Sequence, residues 1–148
     1  MTGYTSNEER ADIECVSISH GDYLAEIALW GGGVKSLTFQ GRPLLETYKD
    51  KPPMMAGVVM APWPNRTEDG QFTWQGEHYQ LGITEPERNN AIHGLAVNWW
   101  KLVKQHKDEV TLTFSIGPHN GWPWTVELVA TYAVDDSGLH SHVKAVTE

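Results

Sequence analysis

At 148 residues the chain has room for one globular domain, and 40% hydrophobic with 20% charged residues is an ordinary globular composition. That mix argues against intrinsic disorder, and folding at this size buries roughly 70% of the extended chain's surface, enough for a real core. A net charge of −8 with no Lys/Arg cluster argues against DNA, RNA and anionic lipid as partners, and says little about a neutral ligand.

The opening segment, MTGYTSNEER, is polar and has no apolar run of the kind a signal peptide needs. No stretch approaches the ~20 apolar residues that span a bilayer. The sequence is therefore read as cytoplasmic, with no membrane partner. Short alternating runs follow, and residues 12–19, 23–30, 34–39 and 43–46 are expected strands, punctuated by Gly31-Gly32-Gly33 and Gln40-Gly41-Arg42. Cys15 is the single cysteine, so it closes no intramolecular disulfide and is expected to be a small core residue.

Residues 51–67 break the alternation and hold Pro52, Pro53, Pro62 and Pro64, four of the eight prolines. A hairpin is expected next, with strands 71–74 and 77–81 joined at Gln75-Gly76, a tight turn that requires positive φ. Residues 82–98 are again polar and irregular. Long irregular loops in a compact sheet protein are costly to keep ordered and more often functional than not.

The rest of the chain is strand-like. Residues 99–106 and 110–116 flank the turn Lys107-Asp108-Glu109, and residues 126–134 and 139–147 flank Asp135-Asp136-Ser137-Gly138. Val110, Leu112, Phe114 and Ile116 alternate with Thr111, Thr113 and Ser115, which places four apolar side chains on one sheet face. Val126, Leu128, Ala130, Tyr132 and Val134 repeat the pattern, while Val129 and Ala133 make the other face partly apolar, so this strand is expected to be covered on both sides. There is no amphipathic helix and no internal repeat. The fold class is all-β. The last run is still strand-like where the chain stops at Glu148, so the sequence is expected to be cut within a domain.

Chemistry-bearing residues concentrate in the two irregular segments. In APWPNR (61–66) Pro62 and Pro64 restrict the loop, which lets it present Asn65 and Arg66 at a fixed angle. A planar fork of five donors beside an amide that both donates and accepts suits the vicinal hydroxyls of a sugar. Alone, the same residues also read as a proline-rich surface loop with a solvated arginine. In NAIHG (90–94) His93 lies between an apolar residue and a glycine, so its ring is expected to be held against the fold. An imidazole donates and accepts near working pH, and a satisfied core histidine is the plainer alternative.

Seven tryptophans is a high count, and Trp63, Trp99, Trp100, Trp122 and Trp124 include candidates for stacking on sugar C–H faces, although most are expected to fill the core. His140 and His142 share one strand face, but spacing identifies no third ligand, so no metal is assigned and both are expected to face solvent. Gly31–Gly33 lacks the helix and Lys-Ser/Thr of a phosphate loop, and neither a nucleophile elbow nor HExxH is present.

In order along the chain, PWPNR (62–66), EDGQFTWQGEHYQL (68–81), NAIHGL (90–95), Trp99-Trp100 and GWPWTVELVATYAVDDSGL (121–139) resemble the aldose 1-epimerase (galactose mutarotase) family, from about Ile13 to the end. The resemblance implies an antiparallel β-sandwich, with residues 1–148 as the N-terminal part of one such domain. It also implies a sugar cleft across one sheet and cofactor-free interconversion of the α and β anomers of free hexoses such as galactose or glucose. Arg66 and His93 match the family's substrate-binding arginine and first active-site histidine, and Asn65 is the neighbouring motif residue. The family's catalytic acid is a second histidine beyond the last strand here, and its base is a glutamate nearer the C-terminus of longer chains. Neither motif is found. His140 and His142 lie upstream of the acid's place, and Glu148 is no candidate for the base. The expectation is a chain that holds sugar through Asn65, Arg66 and His93 yet barely accelerates ring opening, with sheet edges open to a second copy. A non-catalytic carbohydrate-binding module and a hexose-6-phosphate 1-epimerase relative are the alternatives.

Overall fold

The computed structural model describes residues 14–119 and 121–147. Four strands, β1 (Cys15–His20), β2 (Tyr23–Ala28), β3 (Val34–Phe39) and the two-residue β4 (Arg42–Pro43), form an antiparallel sheet in that order. A 3₁₀ turn at Pro53–Met55 precedes β5 (Arg66–Glu68), and the hairpin β6 (Gln71–Trp74)–β7 (Glu77–Gln80) follows. A second 3₁₀ turn, Pro86–Arg88, leads into β8 (Asn90–Ile92), which pairs with β5. The second large sheet contains β9 (Lys101–Gln105), β10 (Glu109–Ile116), β11 (Val126–Asp135) and β12 (Gly138–Thr147), in the order β12-β11-β10-β9. Among the described residues there is no helix long and apolar enough to cross a membrane.

The two four-stranded sheets face each other, with β1 and β2 against β10 and β11. Ile18, Ala25 and Ile27 from the first sheet meet Val110, Leu112, Ile116, Leu128, Ala130 and Val134 from the second. The alternation seen in the sequence sets this: Leu112 lies opposite Ala130 and Ile116 opposite Val126, so large and small apolar side chains share one face. Tyr132 joins the layer through its hydroxyl, which donates to the Gly32 carbonyl at 2.6 Å, and burial pushes its pKa up to about 12. The protein is an antiparallel β-sandwich.

Several expectations need correction. In place of the strand expected at 43–46 stands the two-residue Arg42–Pro43, beyond which the Leu44 N–H still donates to the Leu37 carbonyl at 2.8 Å while Leu44 and Leu45 stand exposed. Strand 23–30 stops at Ala28, and Trp30 lies beyond it in an isolated bridge to Trp99, where the Trp100 N–H donates to the Leu29 carbonyl at 2.7 Å and links the sheets. The first two residues of the strand expected at 12–19 lie outside the described residues. β11 is buried on one face and half-buried at Val129, Thr131 and Ala133 on the other, so the second side is covered only in part. Cys15 is half-buried beside Ala28 and Trp30, at the margin of the core. The segments 51–67 and 82–98 are more ordered than their composition suggests, since each contributes a strand to the β5–β8 ladder.

The glycine triplet has a packing reason. A Cβ on Gly33 would lie 1.6 Å from the Gly57 carbonyl oxygen, so only glycine lets the 51–60 loop lie on the first sheet. The Val59 N–H then donates to the Gly31 carbonyl at 2.8 Å. This contact sets where the loop stands.

Leu112 is fully buried between the sheets, whereas Leu24 is 45% exposed. Denaturant unfolding should show Leu112→Ala losing about 2–5 kcal/mol of stability, with Leu24→Ala within ~0.5 kcal/mol of the parent. Equal effects from the two would place the core elsewhere.

Candidate functional site

Arg66 begins β5 and pairs with Ile92 at the end of β8, so the residue after β8, His93, arrives beside the residue before β5, Asn65. The His93 N–H donates to the Asn65 carbonyl at 2.8 Å, and the Leu95 N–H donates to the Ala61 carbonyl at 2.7 Å. Between them Gly94 has φ +70°, and a Cβ there would lie 2.3 Å from the Ala61 carbonyl oxygen. No other residue allows this approach without backbone movement. Asn65 and His93 themselves take left-handed φ values of 55° and 66°, uncommon for residues with a side chain. The Ala61–Pro62 peptide is cis.

A cleft of about 420 Å³ opens beside this junction. One wall is Arg66, Glu85, Ile92 and His93, and the other is the 51–55 segment, where Lys51 and Met54 are exposed and Met55 is buried. Its size is within the range of small-molecule sites. Met54 is 98% exposed at φ 51°, an apolar side chain placed on the rim.

Arg66 is tied on one edge. Its Nε donates to Glu85 Oε1 at 2.8 Å and its Nη2 to Glu85 Oε2 at 2.9 Å, while Nη1 is 3.4 Å from Asn65 Oδ1. The Glu85 hydrogen bond raises the arginine pKa above its usual value. The bonds from Arg66 and Asn90 hold the Glu85 carboxyl at a pKa of about 2. Burial, and then the neighbouring Arg66 charge, lower the His93 pKa, and Glu85 opposes this only in part. The imidazole is therefore neutral at pH 7, able to donate or accept but poorly suited to hold a spare proton. Its Nδ1 is buried with no protein partner.

Asn65, Arg66 and His93, singled out from the sequence, come together here. The tryptophans do not, since none lines the cleft among the described residues. Trp100 is core, with its indole N–H donating to the Ala96 carbonyl at 2.9 Å, while Trp63, Trp122 and Trp124 cluster with Phe72 and Tyr79 against the β6–β7 hairpin. His140 and His142 stand exposed on β12, with His140 Nε2 3.0 Å from the Asp135 carboxylate. Sequence reasoning missed Lys51, Met54, Met55, Glu85 and Ile92. Glu85 carries no signal beyond being an acid before a proline, and the others reach the cleft only through the loop's path.

Gly94→Ala should disrupt this junction while leaving the sheets in place. Loss of at least about 1 kcal/mol in thermal unfolding, with the strand circular dichroism retained, is expected. An unchanged midpoint would mean that the close approach does not constrain the loops.

Comparison with known proteins agrees with this architecture. The aldose 1-epimerase family model matches residues 14–148. The chain is 37% identical over 126 residues to YihR of Escherichia coli K12, an uncharacterized protein, an alignment covering 82% of this chain and 41% of YihR. A galactose mutarotase-like protein from Clostridium acetobutylicum superposes with a TM-score of 0.78 at 24% identity, over 91% of this chain and 46% of that one. The GalM/aldose epimerase homologue of C. elegans gives 0.76 at 18% identity, over 91% and 47%. The chain thus spans less than half the length of these relatives. With the family model matched across the described sandwich, the chain belongs to the aldose 1-epimerase family.

Proposed function

We propose that this chain is the sugar-holding part of an aldose 1-epimerase domain, and that it binds a free hexose in the cleft through Arg66 and His93, with Asn65 supporting the loop. The observation that carries this reading is the junction itself: two loops far apart in sequence deliver a donor fork and a neutral imidazole to one cleft wall. An array of donors with one donor–acceptor ring matches adjacent hydroxyls, which both donate and accept.

In the reaction this family implies, an acid protonates the ring oxygen while a base takes the anomeric hydroxyl proton. The ring opens to an aldehyde, C1 rotates, and reclosure gives either anomer. In this cleft a neutral His93 holds sugar rather than serving as the acid. Neither the second histidine motif nor the late glutamate is found in the sequence. General acid and general base catalysis each contribute roughly 10²–10⁴-fold, so the chain alone binds with little acceleration of ring opening.

Lys51 favours a second reading, because it lines the same cleft and supplies a cation not paired within it. A phosphorylated hexose would use that charge. Glucose 6-phosphate outcompeting galactose, with the advantage lost in Lys51→Gln, would establish it.

Polarimetry with fresh α-D-glucose and α-D-galactose tests catalysis, and a parallel sugar titration tests binding. The folded chain should leave the mutarotation rate near that of buffer. Arg66→Ala and His93→Ala should each weaken sugar binding by at least about tenfold. Acceleration that scales with protein and disappears in His93→Ala would show that 148 residues suffice. A steeper than linear dependence on concentration would assign that activity to a pair of chains meeting at sheet edges, where Val103 on β9 and Val143 and Val146 on β12 stand exposed.

A further inference from the structure

We propose that Glu85 is the positioning residue of this cleft, fixing the Arg66 guanidinium so that its Nη1 edge, not its Nε edge, meets a bound hexose. The proposal rests on the sugar-binding reading above and adds to it the residue that gives the arginine one orientation.

The geometry is specific. Of the five guanidinium donors, Glu85 takes the Nε–H and one Nη2–H through its two oxygens, at 2.8 and 2.9 Å. What remains is the Nη1 pair, one member leaning 3.4 Å from Asn65 Oδ1, and the second Nη2–H. An arginine side chain that is 40% exposed would otherwise turn among several rotamers, each aiming a different edge into the cleft. The two-point contact removes that freedom before any ligand arrives, which is how preorganisation raises affinity.

Glu85 is itself built in. Its side chain is only 14% exposed, and Oε1 also accepts from Asn90 Nδ2 at 2.9 Å. Asn90 is the buried polar residue found among the described residues. The backbones of the two close a ring, with the Glu85 N–H donating to the Asn90 carbonyl at 2.9 Å and the Asn90 N–H returning to the Glu85 carbonyl at 3.1 Å. The Pro86–Arg88 turn between them ends on Asn89 in the left-handed conformation. Six residues are thus wound to hold one carboxylate behind Arg66. The neighbouring Glu87, on the same turn, is exposed and takes no part.

The charged and titratable groups around Glu85 are Arg66, Arg88 and His93, with Lys51 on the opposite cleft wall. The carboxyl pKa falls from 4.5 to about 2 in the folded chain, so the Arg66 contact is complete above pH 4.5 and is lost only as pH falls toward 2.

The test combines ¹⁵N-resolved NMR of the Arg66 Nε–H with D-galactose titration of the parent chain, Glu85→Gln and Glu87→Gln. The parent should show a solvent-protected Nε–H signal that persists as pH falls through 4.5. Glu85→Gln should lose that signal and bind galactose at least about tenfold more weakly, while Glu87→Gln matches the parent in both. Retention of the signal or of full affinity in Glu85→Gln overturns the proposal. So does loss of the parent's signal with a midpoint near pH 4.5, a measurement that needs no variant to fold. If the parent shows the protected signal but binds no galactose, the sugar-binding reading falls, and the signal in Glu85→Gln alone decides the positioning role.

Discussion

Three backbone pairs between β5 and β8 hold together two segments that have nothing in common in sequence, and the candidate site depends on them. A ladder of this length has few hydrogen bonds, so its register must be set by its surroundings. Gly94 does much of this by letting the 93–95 backbone lie against Ala61, where any Cβ would collide. Once Arg66 is opposite Ile92, pleating puts both side chains on the cleft side, and Thr67 and Ala91 turn the other way. Ala91 is fully buried there. A slip by one residue would bury Arg66 and expose Ala91, and the cost of that exchange is what fixes the arrangement.

The sandwich was legible because period-two alternation is strong in β10 and β11, where each inward side chain is apolar and each turn carries Asp or Gly. The hairpin at Gln75-Gly76 was legible for the same reason, and both residues do take positive φ. The ladder was not. Its strands are three residues each, too short for any period to show, and Asn90 is a poor strand former. Asn65, Arg66 and His93 stood out through the family resemblance, since each alone has a plain surface or core explanation. Glu85 could not stand out, because its role is defined by a partner nineteen residues away.

Charge in the cleft is arranged so that its groups interact through directed hydrogen bonds. Arg66 keeps its proton and Glu85 remains ionised, so the pair contributes donors with little net field. His93, partly buried beside that pair, stays neutral. A polyhydroxylated ligand has no charge to attract, and its recognition depends on the angles of several weak donors and acceptors. A tethered guanidinium is worth more in that role than a free one, because a mobile fork must be ordered by the ligand itself. Lys51 differs, being exposed and on the wall formed by a proline-rich turn, and it is the group through which an anionic sugar would gain.

Stability and recognition therefore rest on different interactions. The sheets are joined by apolar layers around Leu112, Leu128 and Ile27, which have no polar group to orient. The site loops are joined by polar contacts: Thr84 Oγ1 accepts the Ile92 N–H at 2.9 Å, Asn89 Nδ2 donates to Asp69 Oδ1 at 2.9 Å, and Asn90 supports Glu85. Hydrogen bonds of this kind contribute only about 0.5–1.5 kcal/mol each, against several for a large core side chain. The loops can thus open locally at a lower cost than the sheets separate, as ligand-binding segments generally do. Substitutions in the core should consequently lower the unfolding free energy without altering cleft geometry, while those at Gly94 or Glu85 alter the cleft far more than the fold. Where two such changes share no neighbours, their effects on stability add.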